Sequence, residues 1–292
     1  MKRLIALAAT LAALTTACAE TGAQPLGPAP GNGSASPSSS PGGSPTTSPS
    51  ESPDPTRSMT YELWFNYEGS LFVTHRTEPF TPGVGRRSLE ALFDGPNDAE
   101  RRADVSTSIN SGTDLLDLTI DDGVATVDLD DTYSAEETPA TAVGSLSQIV
   151  YTLTQFDSID AILFEVEGKP LTNFGGYELD GAQRRADFAD QLPFILVESP
   201  GIGERVSSPV TIAGTSDVFE AVVSIEILDE NGDTVASTFT MATCGTGCRG
   251  SYTTDVEYSV ETRQAGTIRV YEVSAMDGSP IHIVEIPVML TP

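Results

Sequence analysis

The chain is short of most residues that do chemistry: across 292 residues it has two histidines, three cysteines and one tryptophan, and only fifteen lysines and arginines against forty-two acidic side chains. Scarce histidine is the most restrictive. A hydrolase triad needs a histidine beside a serine or cysteine nucleophile; His75 and His282 fall in different segments, each within a strand-like run (Val73-Thr74-His75-Arg76, and Ile281 and Ile283 around His282), so each is expected to point outward from its strand. Scarce cysteine excludes a zinc knot, because about four ligands are needed and Cys244, Cys248 and distant His282 cannot supply them. Scarce basic charge, with a formal net charge of −27, excludes nucleic acid as a partner and works against adhesion to anionic lipid or wall polymer. After the first three residues the only lysine is Lys169. No phosphate-binding loop, dinucleotide fingerprint or zinc-protease helix occurs. No cofactor is implied, no metal site is expected, and the chain reads as a non-enzyme.

What is present begins with an export signal. Met1-Lys2-Arg3 precedes an apolar run from Leu4 to Leu14, which is too short to span a bilayer, and then Thr15-Thr16-Ala17-Cys18. Residues 1–17 read as a signal peptide. Cys18 has the place of a lipobox cysteine, to be diacylated after cleavage before it, although Thr15 stands where leucine is expected; Ala17-Cys18-Ala19 also serves as an ordinary small-x-small cleavage site. With Cys18 lipidated, the protein is held at the extracytoplasmic face of the cell membrane, and the other two cysteines form an even pair. Gly245-Thr246-Gly247 makes the short loop between Cys244 and Cys248 pliable enough for a disulfide. Loss of Lys2 and Arg3 with the leader leaves thirteen basic side chains against the forty-two acidic ones.

Residues 18–57 are almost wholly Pro, Ser, Gly and Thr and cannot bury enough apolar surface to fold. They form a disordered tether, with a mean reach of roughly 35 Å as a coil and a taut limit of roughly 130 Å. Residues 58–178 mix two periodicities. Strand patterns at 61–66 and 71–74 flank Glu68-Gly69, and Leu89, Leu92 and Phe93 make a helical stripe stopped by Asp94-Gly95-Pro96. Leu116, Leu118 and Ile120, then Ala125, Val127 and Leu129, alternate with polar residues around Asp122-Gly123, which predicts a hairpin. Thr138 caps a helix with Pro139 at its first position and Ala142, Val143, Leu146, Ile149, Val150 and Leu153 on one face. A further strand, 162–166, ends at Glu167-Gly168. This is an α+β domain. A connecting segment, 179–193, holds a short helix that Pro193 stops.

Residues 194–292 carry seven strand patterns (195–198, 210–213, 222–228, 234–240, 252–259, 267–274 and 282–290) and no helix, with turns at Asn231-Gly232 and Asp277-Gly278. Seven short strands in that length predict an all-β immunoglobulin-like sandwich, although the antibody-type tryptophan and cross-sheet disulfide are missing.

Two features invite a binding or catalytic reading. Asp121, Asp122, Asp128, Asp130 and Asp131 could supply carboxylates to a cation or to glycoside hydrolysis. An EF-hand loop begun at Asp128 would need glycine at Tyr133 and glutamate at Pro139, so solvent-facing turns explain the cluster better. Phe174-Gly175-Gly176-Tyr177, after Asn173, could form an aromatic ligand-binding loop, and Trp64 with Tyr67 could extend it, with core packing the competing role for Trp64.

Ser88-Leu89-Glu90-Ala91-Leu92 with Asp94-Gly95-Pro96, Asp122-Gly123-Val124-Ala125-Thr126-Val127-Asp128-Leu129, and Gln148-Ile149-Val150-Tyr151-Thr152-Leu153 together resemble the GerMN domain, a sporulation and spore-germination module also found in lipoproteins of non-sporulating bacteria. Ile195-Leu196-Val197-Glu198-Ser199-Pro200, Val218-Phe219-Glu220-Ala221 and Cys244-Gly245-Thr246-Gly247-Cys248-Arg249-Gly250 resemble the immunoglobulin-like domain that commonly follows it. Asn110, in Ser108-Ile109-Asn110-Ser111-Gly112-Thr113, stands where proline is usual. The resemblance implies an extracytoplasmic envelope protein with no catalytic residues to carry over. The expected role is a lipid-anchored adaptor whose partners are the membrane, through its N-terminal lipid, and another envelope protein or a wall component. Glycan or muropeptide binding is the alternative, and a wall hydrolase using the carboxylates comes after it.

Overall fold

The computed structural model describes residues 57–135 and 138–292; the signal peptide, Cys18 and nearly all of the tether lie outside the described residues. The chain opens with a hairpin of β1 (Ser58–Tyr67) and β2 (Ser70–Pro79), followed by helices α1 (Val84–Phe93) and α2 (Asp98–Arg102). A second hairpin, β3 (Leu115–Asp121) and β4 (Val124–Leu129), leads through a 3-10 turn at Asp131–Ser134 to α3 (Pro139–Leu153), then β5 (Ala161–Val166) and β6 (Lys169–Pro170). The sheet order is β3-β4-β5-β6, with β4 and β5 parallel and joined by α3. A small hairpin of β7 (Asn173–Phe174) and β8 (Tyr177–Glu178) closes the α+β part.

Four tight turns shape this half, each placing two consecutive residues at positive φ: Glu68-Gly69, Asp122-Gly123, Glu167-Gly168 and Gly175-Gly176. That backbone twists with the flanking strands, and an acidic residue followed by glycine tolerates it. The turn chemistry is thus what sets the hairpin registers.

Helix α3 is buried on more sides than its apolar face predicts. Leu146, Ile149, Val150 and Leu153 enter the core, but so do Ser145, Gln148 and Thr152. The polar row satisfies the otherwise open edge of β1. Thr152 Oγ1 accepts from Trp64 N (3.1 Å), Gln148 Nε2 donates to Trp64 O (2.9 Å), and Gln155, just beyond the helix, bonds both backbone groups of Glu62. A helix flank therefore does the work of a neighbouring strand.

After a kinked 3-10 segment, Arg185–Gln191, the chain enters the sandwich. Its strands are β9 (Ile195–Ser199), β10 (Arg205–Ser207), β11 (Val210–Ser216), β12 (Val222–Leu228), β13 (Thr234–Met241), β14 (Gly250–Val256), β15 (Gln264–Val273) and β16 (Pro280–Thr291). One sheet runs β10-β16-β15-β12-β13 and the other β14-β11-β9. Sequence patterning misses β10, a three-residue strand parallel to β16 and too short to show alternation. Tyr252 on β14 crosses its sheet to donate to Leu196 O (3.0 Å) on β9. Between them lies Gly214 on β11, where any Cβ would collide with that carbonyl and with the Tyr252 hydroxyl. A side chain at 214 would break this three-strand register, which already carries a bulge at Ala213/Gly214.

Candidate contact surfaces and the joint between domains

The aromatic loop is built for packing. Phe174 is 2% exposed and stacks on Tyr133 with centroids 4.7 Å apart, so its ring faces the core. Gly175 and Gly176 form the tight turn, and a Cβ on Gly175 would lie 2.8 Å from Thr138 O at the start of α3. The backbone reason for the paired glycines is this close approach. Of the two loop aromatics only Tyr177 retains surface, with its ring 6.0 Å from that of Phe188. Trp64 is likewise core, tilted against Tyr151 at 4.8 Å.

The acidic hairpin also has local uses. Asp128 Oδ1 accepts from Gly168 N (2.9 Å), and Asp130 accepts from Asp114 N (3.0 Å) and Thr132 Oγ1 (2.6 Å). Among the described residues no three His, Cys, Asp or Glu side chains converge as metal ligands. Asn110 donates through Nδ2 to Ala135 O (2.8 Å) and Thr132 O (3.1 Å), pinning the 3-10 turn. Cys244 and Cys248 are joined as a disulfide, their Cα atoms 5.7 Å apart. Around it Thr246 N donates to Val218 O (2.9 Å) and Gly247 N to Asp217 Oδ1 (2.7 Å), so the small loop is stitched to the turn before β12. His75 is exposed on β2, opposite Glu62 in register. His282 does not simply alternate outward: it occupies a bulge at φ 51°, its ring 4.1 Å from that of Phe194.

What sequence reasoning overlooked is the joint between the domains. Arg185, in the connecting segment, donates to Tyr151 O (2.9 Å) and Thr154 Oγ1 (2.8 Å), and its guanidinium lies 4.7 Å from the Tyr151 ring and 5.4 Å from the Trp64 ring. Arg249, directly after the disulfide, donates to Pro193 O and to Thr215 Oγ1 (3.2 Å). Burial pushes both guanidinium groups down from their ordinary pKa. Glu198, on β9, responds in the opposite direction: desolvation raises its carboxyl, the Glu62 charge raises it further, and Arg185 and Arg249 offset only part. A groove of about 700 Å³ beside the joint is lined by residues of both halves, among them Glu62, His75, Glu198 and Glu204.

A second surface lies on the outer face of the five-stranded sheet. Val223, Ile225 and Ile227 of β12 point into the core, so Val222, Ser224 and Glu226 point out. Register carries two outward rows across the sheet: Met241 beside Val222, and Phe239 beside Ser224 and Tyr271. The next row is charged, with Arg269 bonded to Glu285 (2.8 Å) and to Glu226 (3.4 Å). Phe239 is 67% and Met241 64% exposed.

The described residues form an α+β domain followed by an immunoglobulin-like sandwich. Residues 64–172 match the family described as sporulation and spore germination, and residues 194–279 match the immunoglobulin-like domain of bacterial spore germination. The chain is a GerMN domain followed by a spore-germination immunoglobulin-like domain, as its motifs suggest. Similar solved structures include the first GerMN domain of the sporulation protein GerM from Bacillus subtilis, which is 19% identical with a TM-score of 0.36 and covers 44% of this chain and 99% of its own. The tandem GerMN domains of the same protein are 12% identical with a TM-score of 0.39, covering 80% of this chain and 60% of theirs. No curated protein sequence matches the chain.

Proposed function

We propose that this protein is a non-catalytic adaptor of the cell envelope, anchored through a lipid on Cys18 and carrying its two domains on the 18–57 tether as one body. The observation that carries the proposal is the joint: Arg249 of the sandwich holds Pro193 O, while Arg185 of the connecting segment is stacked on Tyr151 of the first domain. Placing two guanidinium groups in partly desolvated positions costs several kcal/mol unless hydrogen bonds and ring faces compensate, as they do here. Domains fixed in this way present a composite surface of constant shape, which suits docking to another envelope protein or to a wall component.

Two measurements test the two halves of this reading. Metabolic labelling with a fatty-acid probe should mark the full-length chain and not Cys18→Ala, and the variant should leave the membrane fraction; equal labelling and retention of both would overturn the anchor. Affinity capture from membranes should recover a defined envelope protein with the wild type, and recovery should fall at least tenfold with Arg249→Ala, which loosens the joint. Recovery of wall fragments alone would replace the protein adaptor with glycan binding.

A further inference from the structure

The outer edge of the sandwich is unguarded in a way the rest of the chain is not. β13 ends its sheet and pairs only with β12. No charged side chain occurs between Asp233 and Arg249, although about one residue in five of the chain is charged. Among the described residues the other stretch of this length without charge, between Glu137 and Asp157, contains α3, which is buried. Exposed edges are ordinarily blunted by lysine, proline, inward-pointing charge or bulges, because unpaired backbone groups recruit another strand. β13 has no such charge or proline over Thr234–Met241, its one irregularity lies at the far end by Leu228, and Phe239 and Met241 stand exposed on its outward face.

We propose that β13 is a self-association edge, pairing antiparallel with β13 of a second copy about a twofold axis at Thr238. The sequence is self-complementary in this register. Residues on one face must oppose residues on the same face of the mate, so Phe239 lies opposite Ser237 of the other copy and Met241 opposite Val235, a large side chain over a smaller one each time. On the opposite face Thr240 meets Ala236 and Thr238 meets its own image. The two five-stranded sheets then continue as one, the Phe239 row of each copy running on into the row of Ser237, Glu226 and Arg269 of its mate. An eight-residue edge with two large apolar side chains buries several hundred Å² per copy, less than the ~800 Å² per partner of a standard interface. The association is therefore weak and reversible.

Charge fixes the sign of its salt dependence. Two copies each with net charge −27 repel at long range, while the paired strands carry no charge at all. Raising the salt screens the repulsion and leaves the strand bonds intact. Docking of a basic partner strand on the same edge would respond in the opposite direction.

The test is sedimentation of the full chain carrying Cys18→Ser, at 50 and 500 mM salt. The expected result is a monomer–dimer equilibrium that tightens several-fold at the higher salt and weakens at least tenfold in Phe239→Lys. Cysteine cross-linking locates the axis: Thr238→Cys should give a covalent dimer on a non-reducing gel, and Ala236→Cys, which faces Thr240 of the mate, should not. Residue 238 is half-buried opposite Ile225, and a thermal melt identical to wild type keeps the comparison valid. A chain that stays monomeric at hundreds of micromolar, or a dimer that Thr238→Cys does not cross-link, overturns the proposal.

Discussion

The side-chain amide of Gln155 pairs with the backbone of Glu62 as a strand would: its Oε1 accepts from Glu62 N (2.7 Å) and its Nε2 donates to Glu62 O (2.8 Å). Replacing it with alanine removes both bonds and leaves partly buried backbone groups of β1 without partners. An unsatisfied group of this kind costs ~1–3 kcal/mol. Gln155→Ala should therefore lower the unfolding free energy by about 2 kcal/mol in urea titration, with an unchanged slope. Gln155→Glu should do more harm at neutral pH, since it keeps an acceptor but loses the donor and adds a charge near Glu62. A midpoint unaltered by either change would mean that water serves this edge equally well.

Glu100 concentrates more contacts than any carboxylate of the first domain. It is 1% exposed, forms a two-point pair with Arg76 (2.6 and 2.7 Å), accepts from Thr74 Oγ1 and from Asn97 N (2.7 Å), and completes the capping box of α2. Burial alone would raise its pKa, but the bonds from Arg76, Thr74 and Asn97 outweigh that and hold it below the ordinary glutamate value. A depressed carboxyl contributes stability that is complete above the unfolded pKa, near 4.5, and is lost as pH falls through the folded value. Glu100→Ala strands Arg76 and removes the cap, and should cost ~3–5 kcal/mol near pH 7. As pH falls from 4.5 through the folded value the difference between variant and wild type should shrink; a constant difference across that range would show that packing, and not charge, is what the residue provides.

Gly175 separates a folding role from a binding role for its loop. Its φ of 56° and the 2.8 Å approach of a Cβ to Thr138 O both disfavour any side chain. Gly175→Ala should destabilise by about 1–2 kcal/mol, combining strain with displacement at the N-cap of α3. Phe174→Ala, which empties a buried site against Tyr133, should cost ~3–5 kcal/mol. Tyr177→Ala, at the half-exposed end, should have the smallest effect of the three on the thermal midpoint. Equal stability across all three with selective loss of muropeptide binding would return the loop to the role its sequence suggests.

The parts of this fold that were legible are those written locally. Glu68-Gly69, Asp122-Gly123 and Glu167-Gly168 announce two-residue turns because only a few residues tolerate consecutive positive φ, and Thr138-Pro139 announces the start of α3 for a similar reason. The polar row of α3 was not legible: Gln148 and Thr152 look solvent-facing until the β1 edge they bond is known, and that edge lies far away in the sequence. Phe174 next to two glycines reads as an exposed loop aromatic because nothing local reveals that Tyr133 covers it. The joint was hidden for the same reason. Arg185 follows Arg184, and Arg249 follows a disulfide loop; neither neighbourhood records that Tyr151, Pro193 and Glu198 converge there.

Glu198 turns that joint into a measurable dependence on pH. Its carboxyl is raised above the ordinary glutamate value, first by desolvation and then by Glu62. The sign is opposite to that of Glu100: the folded state holds the proton more tightly than the unfolded one, so stability declines as pH rises from about 4.5 through the raised value and then levels off. Glu198→Gln keeps the shape and removes the ionisation, and should melt higher than wild type at pH 7–8, with the advantage fading as pH approaches 4.5. Glu62→Gln, which removes the neighbouring like charge, should recover part of that gain, and the double variant should gain less than the sum because the two carboxylates act on each other. Should Glu198→Gln instead melt lower at pH 8, attraction to Arg185 and Arg249 would outweigh desolvation, and the ionised carboxylate would be part of what holds the two domains together.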